Sequence, residues 1–384
     1  MIRIGRLTPG QILLWLLVLA GAAAAAVRFV WGLGAVTNLS DRFPWGLWIG
    51  FDVMVGVALA AGAFTLNATV HIFHLDRYRP LLRPSVLTGF LGYLMVIIAL
   101  LVDLGRPYRI WHPVVMWNPH SVMFEVAWCV MLYTAVLALE FGRVILERLR
   151  LTVMLRITRA AMVPLVVAAV ILSTLHQSSL GSLFLIAPGK LHPLWYTALL
   201  PVLFFISAVA VGLAMATVEA VLAARAFRHR LELSMFAGLS RALTIILSIY
   251  LALKVFDLAV RGVWPLLLRP GTESLMFAAE IGIGVVLPLV LLSVNNFSRS
   301  PAGLTLTSAL VVVGVVVNRL NVAVTGMLAG SGARYVPAWT EILITAAIVA
   351  AGILVYRWVM EHLPIVPAHR APEGPAAAGA ALGP

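Results

Sequence analysis

The sequence predicts an all-α, polytopic membrane protein of about ten transmembrane helices, and three observations carry that prediction. Of its 384 residues 62% are hydrophobic and only 11% charged, with a mean hydropathy of +1.03. A soluble domain carries about 25% charged residues, so this chain lacks the side chains for a water-covered surface. Apolar runs of about 20 residues, the length that crosses a hydrocarbon core, recur from end to end. The basic residues gather in alternate connections between those runs, the pattern that sets membrane orientation.

The first run, 11–33, follows Arg3 and Arg6 and contains the alanine block Ala22–Ala26, which has the look of a signal-peptide cleavage region. Its apolar sequence continues to Gly34, beyond the roughly 7–15 residues of a signal core, so an uncleaved first helix is expected. The remaining spans are expected at 46–70, 84–103, 121–142, 159–180, 193–223, 240–261, 273–294, 302–320 and 338–360. Together they make one integral membrane domain over 1–363. The stretch 364–384, with APEGPAAAGAALGP, has no periodicity and is expected to be a disordered tail.

One set of connections and ends holds Arg3, Arg6, Arg77, Arg79, Arg83, Arg143, Arg148, Arg150, Arg156, Arg159, Arg225, Arg228, Arg230, Arg241, Arg299, Arg357 and Arg370, 17 basic residues. The other holds 9, namely Arg28, Arg42, Arg106, Arg109, Lys190, Arg261, Arg269, Arg319 and Arg334. Positive residues mark the cytoplasmic side, so both termini are expected there. The same distribution removes nucleic acid as a partner despite the net charge of +12, because the cations are spread between spans and form no basic domain. The lipid bilayer is the partner they imply.

Composition also limits the chemistry. Cys129 is the only cysteine, so the chain forms no internal disulfide, no four-thiolate cluster and no zinc knuckle. Any iron–sulfur centre belongs to another chain. Of nine histidines only His176 lies clearly inside a span, whereas a transmembrane b-type haem takes an axial pair, so no haem is expected. His71, His74, His112, His120, His192, His229, His362 and His369 fall at ends or in loops. No resident metal is expected, and there is no phosphate-binding loop, dinucleotide fingerprint or HExxH motif.

Polar residues inside the spans are the candidate functional groups, since a charge at a helix centre costs about 2.5–3.5 kcal/mol on insertion scales. Asp52 is expected about two turns from the outer end of the second span, Asp103 at the outer end of the third and Glu125 about one turn into the fourth. His176 is expected near the outer end of the fifth, giving an acidic layer with one histidine in the outer half. Tyr93 lies ten residues inward of Asp103, and Glu219 near the inner end of the sixth span. The two mark the beginnings of a proton path, or else an ordinary packing aromatic and a snorkelling carboxylate. Lys254 and Asp257, three apart on one helix face, are placed to form an ion pair. For Glu280 and Glu341 the pattern does not separate role from packing.

Four stretches, GLWIGFDVMVGVALAAGAFT (46–65), RPSVLTGFLGYLMVIIALLVDLGRP (83–107), SVMFEVAWCVMLYTAVLALEF (121–141) and STLHQSSLGSLF (173–184), resemble the NrfD/PsrC membrane subunits of polysulfide reductase-like respiratory complexes. VVNRLNVAVTGM (316–327) is a weaker match. The resemblance is closest to the HybB branch, the so-called cytochrome b subunit of nickel–iron hydrogenases, and to the related DsrP subunit of sulfur metabolism. It implies ten helices built around four-helix bundles in a bacterial inner membrane, and a quinone, menaquinone or ubiquinone, bound near the outer face. It implies a periplasmic, ferredoxin-like iron–sulfur subunit and a soluble catalytic subunit as partners, with no haem in this branch. The family's proton-handling positions fall by motif on Tyr93, Glu125 and His176, and by a poorer local match on Glu219. Asp52 and Asp103 belong to the two clearest motifs.

The combined expectation is a quinone site in an apolar cleft among the second to fifth helices. There His176 and an acid from Asp52, Asp103 or Glu125 meet the quinone. The loop 105–120 is the best docking surface for the iron–sulfur protein, or else its tryptophans are ordinary interfacial anchors, the commoner role of such residues. The alternatives are a quinone-interacting subunit of a sulfur-cycle or molybdoenzyme complex, an ion or solute transporter, and a passive anchor. A transporter generally shows an internal repeat with broken helices at the midplane, and no clear repeat is visible here.

Overall fold

The computed structural model describes residues 8–186, 189–227, 233–294, 297 and 300–365. The expected tail, Arg3, Arg6, Arg228, His229, Arg230, Arg299, His369 and Arg370 lie outside the described residues. Among the described residues ten helices are long and apolar enough to span a membrane. They are α1 (Pro9–Trp31), α2 (Trp48–Ile72), α3 (Asp76–Asp103), α4 (Val122–Arg148), α5 (Met162–Leu183), α6 (Leu200–Arg225), α7 (Met235–Val260), α8 (Thr272–Ser293), α9 (Pro301–Ser331) and α10 (Trp339–His362). The connections α1–α2, α3–α4, α5–α6, α7–α8 and α9–α10 share one side, here the loop side. The opposite side is the arginine-rich one.

The expected spans are all present, with shifted ends. Helices α4 and α9 run several residues past their apolar cores because backbone hydrogen bonding continues where hydropathy stops. Helix α6 begins later than expected, since the segment before it folds into turns that bury Trp195.

Contacts group the helices as two four-helix bundles. In the first, α4 packs on α3 and α5, and α2 on α3 and α5; in the second, α6 packs on α7 and α9, and α8 on α7 and α9. Helix α6 also touches α2 and α5, joining the bundles, while α1 and α10 pair along their length and lean on α3. Small residues permit the closest approaches, as in membrane helix packing generally. Gly284 of α8 and Gly314 of α9 lie backbone to backbone, where any side chain would push the helices apart.

Several spans contain π-helical turns: Trp48–Val53 and Ala68–Ile72 in α2, Gly282–Val286 in α8 and Asn321–Thr325 in α9. Such turns rotate the side chains beyond them and concentrate at functional positions. Asp52 and Asn321 each sit within one.

Candidate functional site

On the loop side of the first bundle lies a cavity of about 510 Å³, with apolar walls from α2 to α5. Ile49, Val53 and Met54 come from α2, Leu100 from α3, Val126 and Ala127 from α4, and Leu180 and Leu183 from α5. The 105–120 loop forms its mouth and supplies the polar groups Arg106, Arg109, His112 and Asn118. Trp128 fixes that loop by donating its Nε1–H to the Pro113 carbonyl at 2.9 Å. Trp117 packs tilted against Trp128 with ring centroids 5.0 Å apart. The outer surface of the loop exposes Tyr108, Trp111, Val115, Met116 and Trp117.

The expected cleft among α2–α5 therefore exists, but the charged residues expected to line it are elsewhere. Asp52 turns from the cavity toward α10, where its Oδ2 accepts from Thr345 Oγ1 at 2.6 Å. The physical reason is the π turn that carries it, which leaves Ile49 and Val53 facing the cavity and Asp52 facing the other way. Asp103, at the α3 terminus, lies in the field of Arg28 and Glu341, with its Oδ1 buried and unpartnered. Arg28 of α1 caps the end of α3, donating from Nε to the Val102 carbonyl at 2.5 Å and from a terminal nitrogen to the Leu104 carbonyl.

Glu341 completes this cluster among α1, α2, α3 and α10, and its surroundings are those of a helix cap. Its Oε1 accepts from the backbone N–H groups of Asn38 at 2.9 Å and Ala338 at 3.1 Å, and its Oε2 from the Tyr335 hydroxyl. Burial, with the adjacent carboxylate, pushes the Tyr335 phenol well above its usual value, so it remains a donor. Glu125 stands apart in the first turn of α4, half-buried and without a side-chain hydrogen bond among the described residues.

His176 is fully buried and one layer deeper than expected. Its Nδ1 lies 2.8 Å from the Tyr93 hydroxyl, not beside an acid. The depth follows from helical rise: His176 is seven residues from the α5 terminus, roughly 10 Å. Leu180, one turn above it, belongs to the cavity floor, so the Tyr93–His176 pair underlies the cavity. The Tyr93 ring meets Tyr133 of α4 edge-on at 4.7 Å, and Gln177 donates from Nε2 to the Val57 carbonyl at 3.2 Å.

Below that pair the structure reveals groups that sequence reasoning passed over. Glu140 of α4 is buried, with its Oε2 accepting from Asn67 Nδ2 of α2 at 2.9 Å. Its Oε1 has no partner, and neither do Tyr133 Oη, Ser173 Oγ, His176 Nε2 or Gln177 Oε1. These five atoms descend through one bundle from the cavity floor toward the arginine-rich side. Buried polar atoms without protein partners are the usual lodging of ordered water. Glu140 escaped notice because the expected α4 stopped at 142, which made it a helix-end carboxylate. The real helix continues to Arg148 and leaves it two turns inside.

Glu219 does not join this column. It accepts from Tyr356 Oη at 2.9 Å, from Ser85 Oγ at 3.4 Å and from Thr88 Oγ1, and it faces a separate cleft between α6 and α10. Thr88 and Tyr93 point roughly 140° apart around α3, so the expected link from Tyr93 to Glu219 is not formed by direct contact.

The second bundle buries charge differently. Glu280 of α8 accepts from Trp195 Nε1 at 2.9 Å, Asn318 Nδ2 at 2.7 Å and Asn321 Nδ2 at 2.9 Å. Asp257 pairs with Arg261 at 2.5 Å and accepts from Thr197 Oγ1, also at 2.5 Å, and not with Lys254 as its spacing had indicated. Four residues bring a side chain back to the same helical face more closely than three. Lys254 Nζ instead sits 5.1 Å from the Phe277 ring centroid. Among the described residues no group of three or more His, Cys, Asp or Glu side chains is placed to hold a metal ion.

Residues 35–329 match the family model described as Polysulphide reductase, NrfD. A Nitratidesulfovibrio vulgaris chain, named only as a protein, is 38% identical over 373 residues, covering 94% of this chain and 96% of its own length. The probable Ni/Fe-hydrogenase 2 b-type cytochrome subunit of Escherichia coli is 33% identical over 345 residues, covering 88% of each chain. The integral membrane subunit of menaquinone reductase from Nitratidesulfovibrio vulgaris is 30% identical, covering 89% of this chain and 90% of its own.

Proposed function

The chain belongs to the NrfD family of multi-pass membrane proteins, and on that premise we propose that it is the quinone-binding subunit of a respiratory oxidoreductase. The observation that carries the reading is the 510 Å³ apolar cavity set directly over the buried Tyr93–His176 pair. A quinone ring and its isoprenoid tail are apolar, and sites for such ligands are apolar clefts with a few convergent polar groups. Menaquinone is favoured by the name of one relative. The head group lies at the inner end of the cavity, above His176.

Reduction of one quinone to its quinol consumes two electrons and two protons. The electrons come from an iron–sulfur partner docked on the exposed aromatic and apolar surface of the 105–120 loop, which covers the cavity mouth. A nickel–iron hydrogenase is the proposed source, in keeping with the name of the Escherichia coli relative. A sulfur-cycle or molybdoenzyme complex is the alternative. The loop side faces the periplasm and both termini the cytoplasm of a bacterial inner membrane, a reading supported by the arginine excess on the opposite side.

The protons arrive through the Tyr93–His176 pair. A histidine bonded to a tyrosine passes a proton by exchanging donor and acceptor roles, and water at the unpartnered atoms down to Glu140 extends the relay. Drawing protons from the arginine-rich side while electrons enter from the loop side makes turnover electrogenic. Asp52, Asp103 and Glu341 then act as positioning groups for α1, α2, α3 and α10, and Glu125 as the carboxylate nearest the docking loop.

The histidines do not fit a haem. His176 is the sole buried histidine among the described residues, so no second histidine stands opposite it to complete an axial pair. A Soret band that reports two histidine ligands in the purified chain would overturn this part. The quinone reading is tested by binding of a menaquinone analogue to the purified subunit, followed by tryptophan quenching. Ala127→Trp, which fills the cavity from α4, is expected to remove saturable binding while the protein still folds. Unaltered affinity in that variant places the site elsewhere.

A further inference from the structure

On the arginine-rich side, where α2 and α4 end and α3 and α5 begin, a second cleft of about 160 Å³ is lined by Arg79, Arg83, Arg143 and His71 and by the carboxylates Glu140 and Glu147. These cations are unequally supplied with acceptors. Arg83 is satisfied, with one terminal nitrogen on the Glu147 carboxylate at 2.9 and 3.1 Å and the other on the Pro364 carbonyl at 3.0 Å. Arg79 pairs with Asp76 at 2.5 Å in the open. Arg143 has a buried Nε with no partner, and its NH1 meets only the Met162 thioether at 2.7 Å, a weak acceptor. His71 Nε2 is likewise buried and unpartnered. Glu140, one turn from Arg143, makes no ion pair with it among the described residues.

Arg143 Nε and His71 Nε2 thus face one open cleft without a partner of their own, and of its two carboxylates Glu147 is taken by Arg83 while Glu140, one turn deeper than Arg143, keeps one free oxygen. The acceptor this arrangement fits is an oxyanion with several lone pairs, since guanidinium groups match phosphate geometry. The volume holds about five waters at roughly 30 Å³ each, or a phosphodiester of similar bulk.

The setting favours one source for such an oxyanion. The cleft opens at the level where the apolar spans end. Beside it the short helix Thr152–Ala160 carries Arg156 and Arg159 and exposes Val153, Met154 and Ile157, with Leu149 and Leu151 exposed just before it. A short helix with basic residues and bare apolar side chains lies in the headgroup layer of a membrane. Basic pockets between helices at that level take anionic lipid headgroups.

We propose that this cleft binds the phosphate of an anionic phospholipid, with Arg143 and His71 as the inner donors and Arg79 and Arg159 at the rim. The lipid would brace the α2–α3 and α4–α5 connections against each other. The proposal does not depend on the quinone reading, because its readout is lipid binding by the folded chain.

The test compares phosphatidylglycerol, phosphatidylcholine of the same acyl chains and inorganic phosphate. Each is titrated into the purified full-length protein in detergent, with thermal midpoint and lipid retention in native mass spectrometry as readouts. Phosphatidylglycerol is expected to raise the midpoint and to be retained where phosphatidylcholine is not. Arg143→Met should weaken that affinity at least about fivefold, the factor one basic residue contributes at an anionic surface. Arg357→Gln, on the same side but outside the cleft, should leave it unchanged. Equal protection by phosphatidylcholine, unaltered affinity in Arg143→Met, or the same protection from inorganic phosphate alone would each overturn the proposal. If Arg143→Met does not fold, His71→Ala and the wild-type lipid comparison decide it.

Discussion

The two four-helix bundles bury similar numbers of polar groups and satisfy them to different degrees. In the second, every carboxylate is supplied: Glu280 has three donors and Asp257 two, and Arg319 is bonded through both terminal nitrogens while its guanidinium lies 3.7 Å over the Phe204 ring. Of its buried side-chain polar atoms only the Nε atoms of Arg261 and Arg319 lack partners among the described residues. In the first, Glu140, Tyr133, Ser173, His176 and Gln177 each keep one atom without a partner. A satisfied network in a low dielectric resists rearrangement, whereas an unsatisfied one recruits water and can reorganise. On the proposed reading, the difference separates a clamp from a conduit. It also shows why a buried charge read from sequence is an ambiguous sign of function, since both bundles have them.

The largest expected effect tests that separation directly. His176→Asn in the first bundle should reduce quinone turnover by about 100-fold or more while the purified complex keeps its thermal midpoint, the range a positioned proton donor contributes. Glu280→Leu in the second should do the reverse. It leaves three buried donors without an acceptor and should destabilise the chain by about 3–5 kcal/mol, with turnover per folded molecule preserved. Turnover assays beside thermal melts on the same preparations read both, and a loss of turnover from Glu280→Leu in a folded sample would erase the distinction between the bundles.

A smaller effect sharpens it. Glu140→Gln keeps the hydrogen bond to Asn67 but removes the ionisable group, and is expected to slow proton uptake about tenfold. Uptake is measured with a pH dye inside vesicles loaded with the complex. Glu140→Asp should recover part of the rate. Glu219→Gln, on the far side of α3, should leave uptake unchanged, and the opposite ranking of the two would restore Glu219 as the entry carboxylate.

Much of the architecture was legible before any coordinates. Ten spans follow from apolar length alone, because a segment lacking polar side chains has no soluble alternative and a backbone in lipid has no choice but helix. The site was legible only in part. The cleft among α2–α5 could be read, but depth alone groups His176 with the Asp52, Asp103 and Glu125 layer, whereas in the structure its partner is Tyr93. Sequence supplies depth at 1.5 Å per residue but not azimuth, and a π turn such as Trp48–Val53 shifts azimuth without any mark in composition.

By itself, then, the sequence determined that the chain spans a membrane ten times, that its cations favour one side and that it has a single thiol. Those properties are sums over residues, and solvation responds to sums. Only the tertiary structure decided which buried group meets which. It turned Asp52 toward Thr345, gave Asp257 to Arg261, joined Tyr93 to His176 and left Glu140 half satisfied beneath them. A hydrogen bond depends on positions to within a few tenths of an ångström, and those are fixed by how helices rotate and lean on one another after insertion.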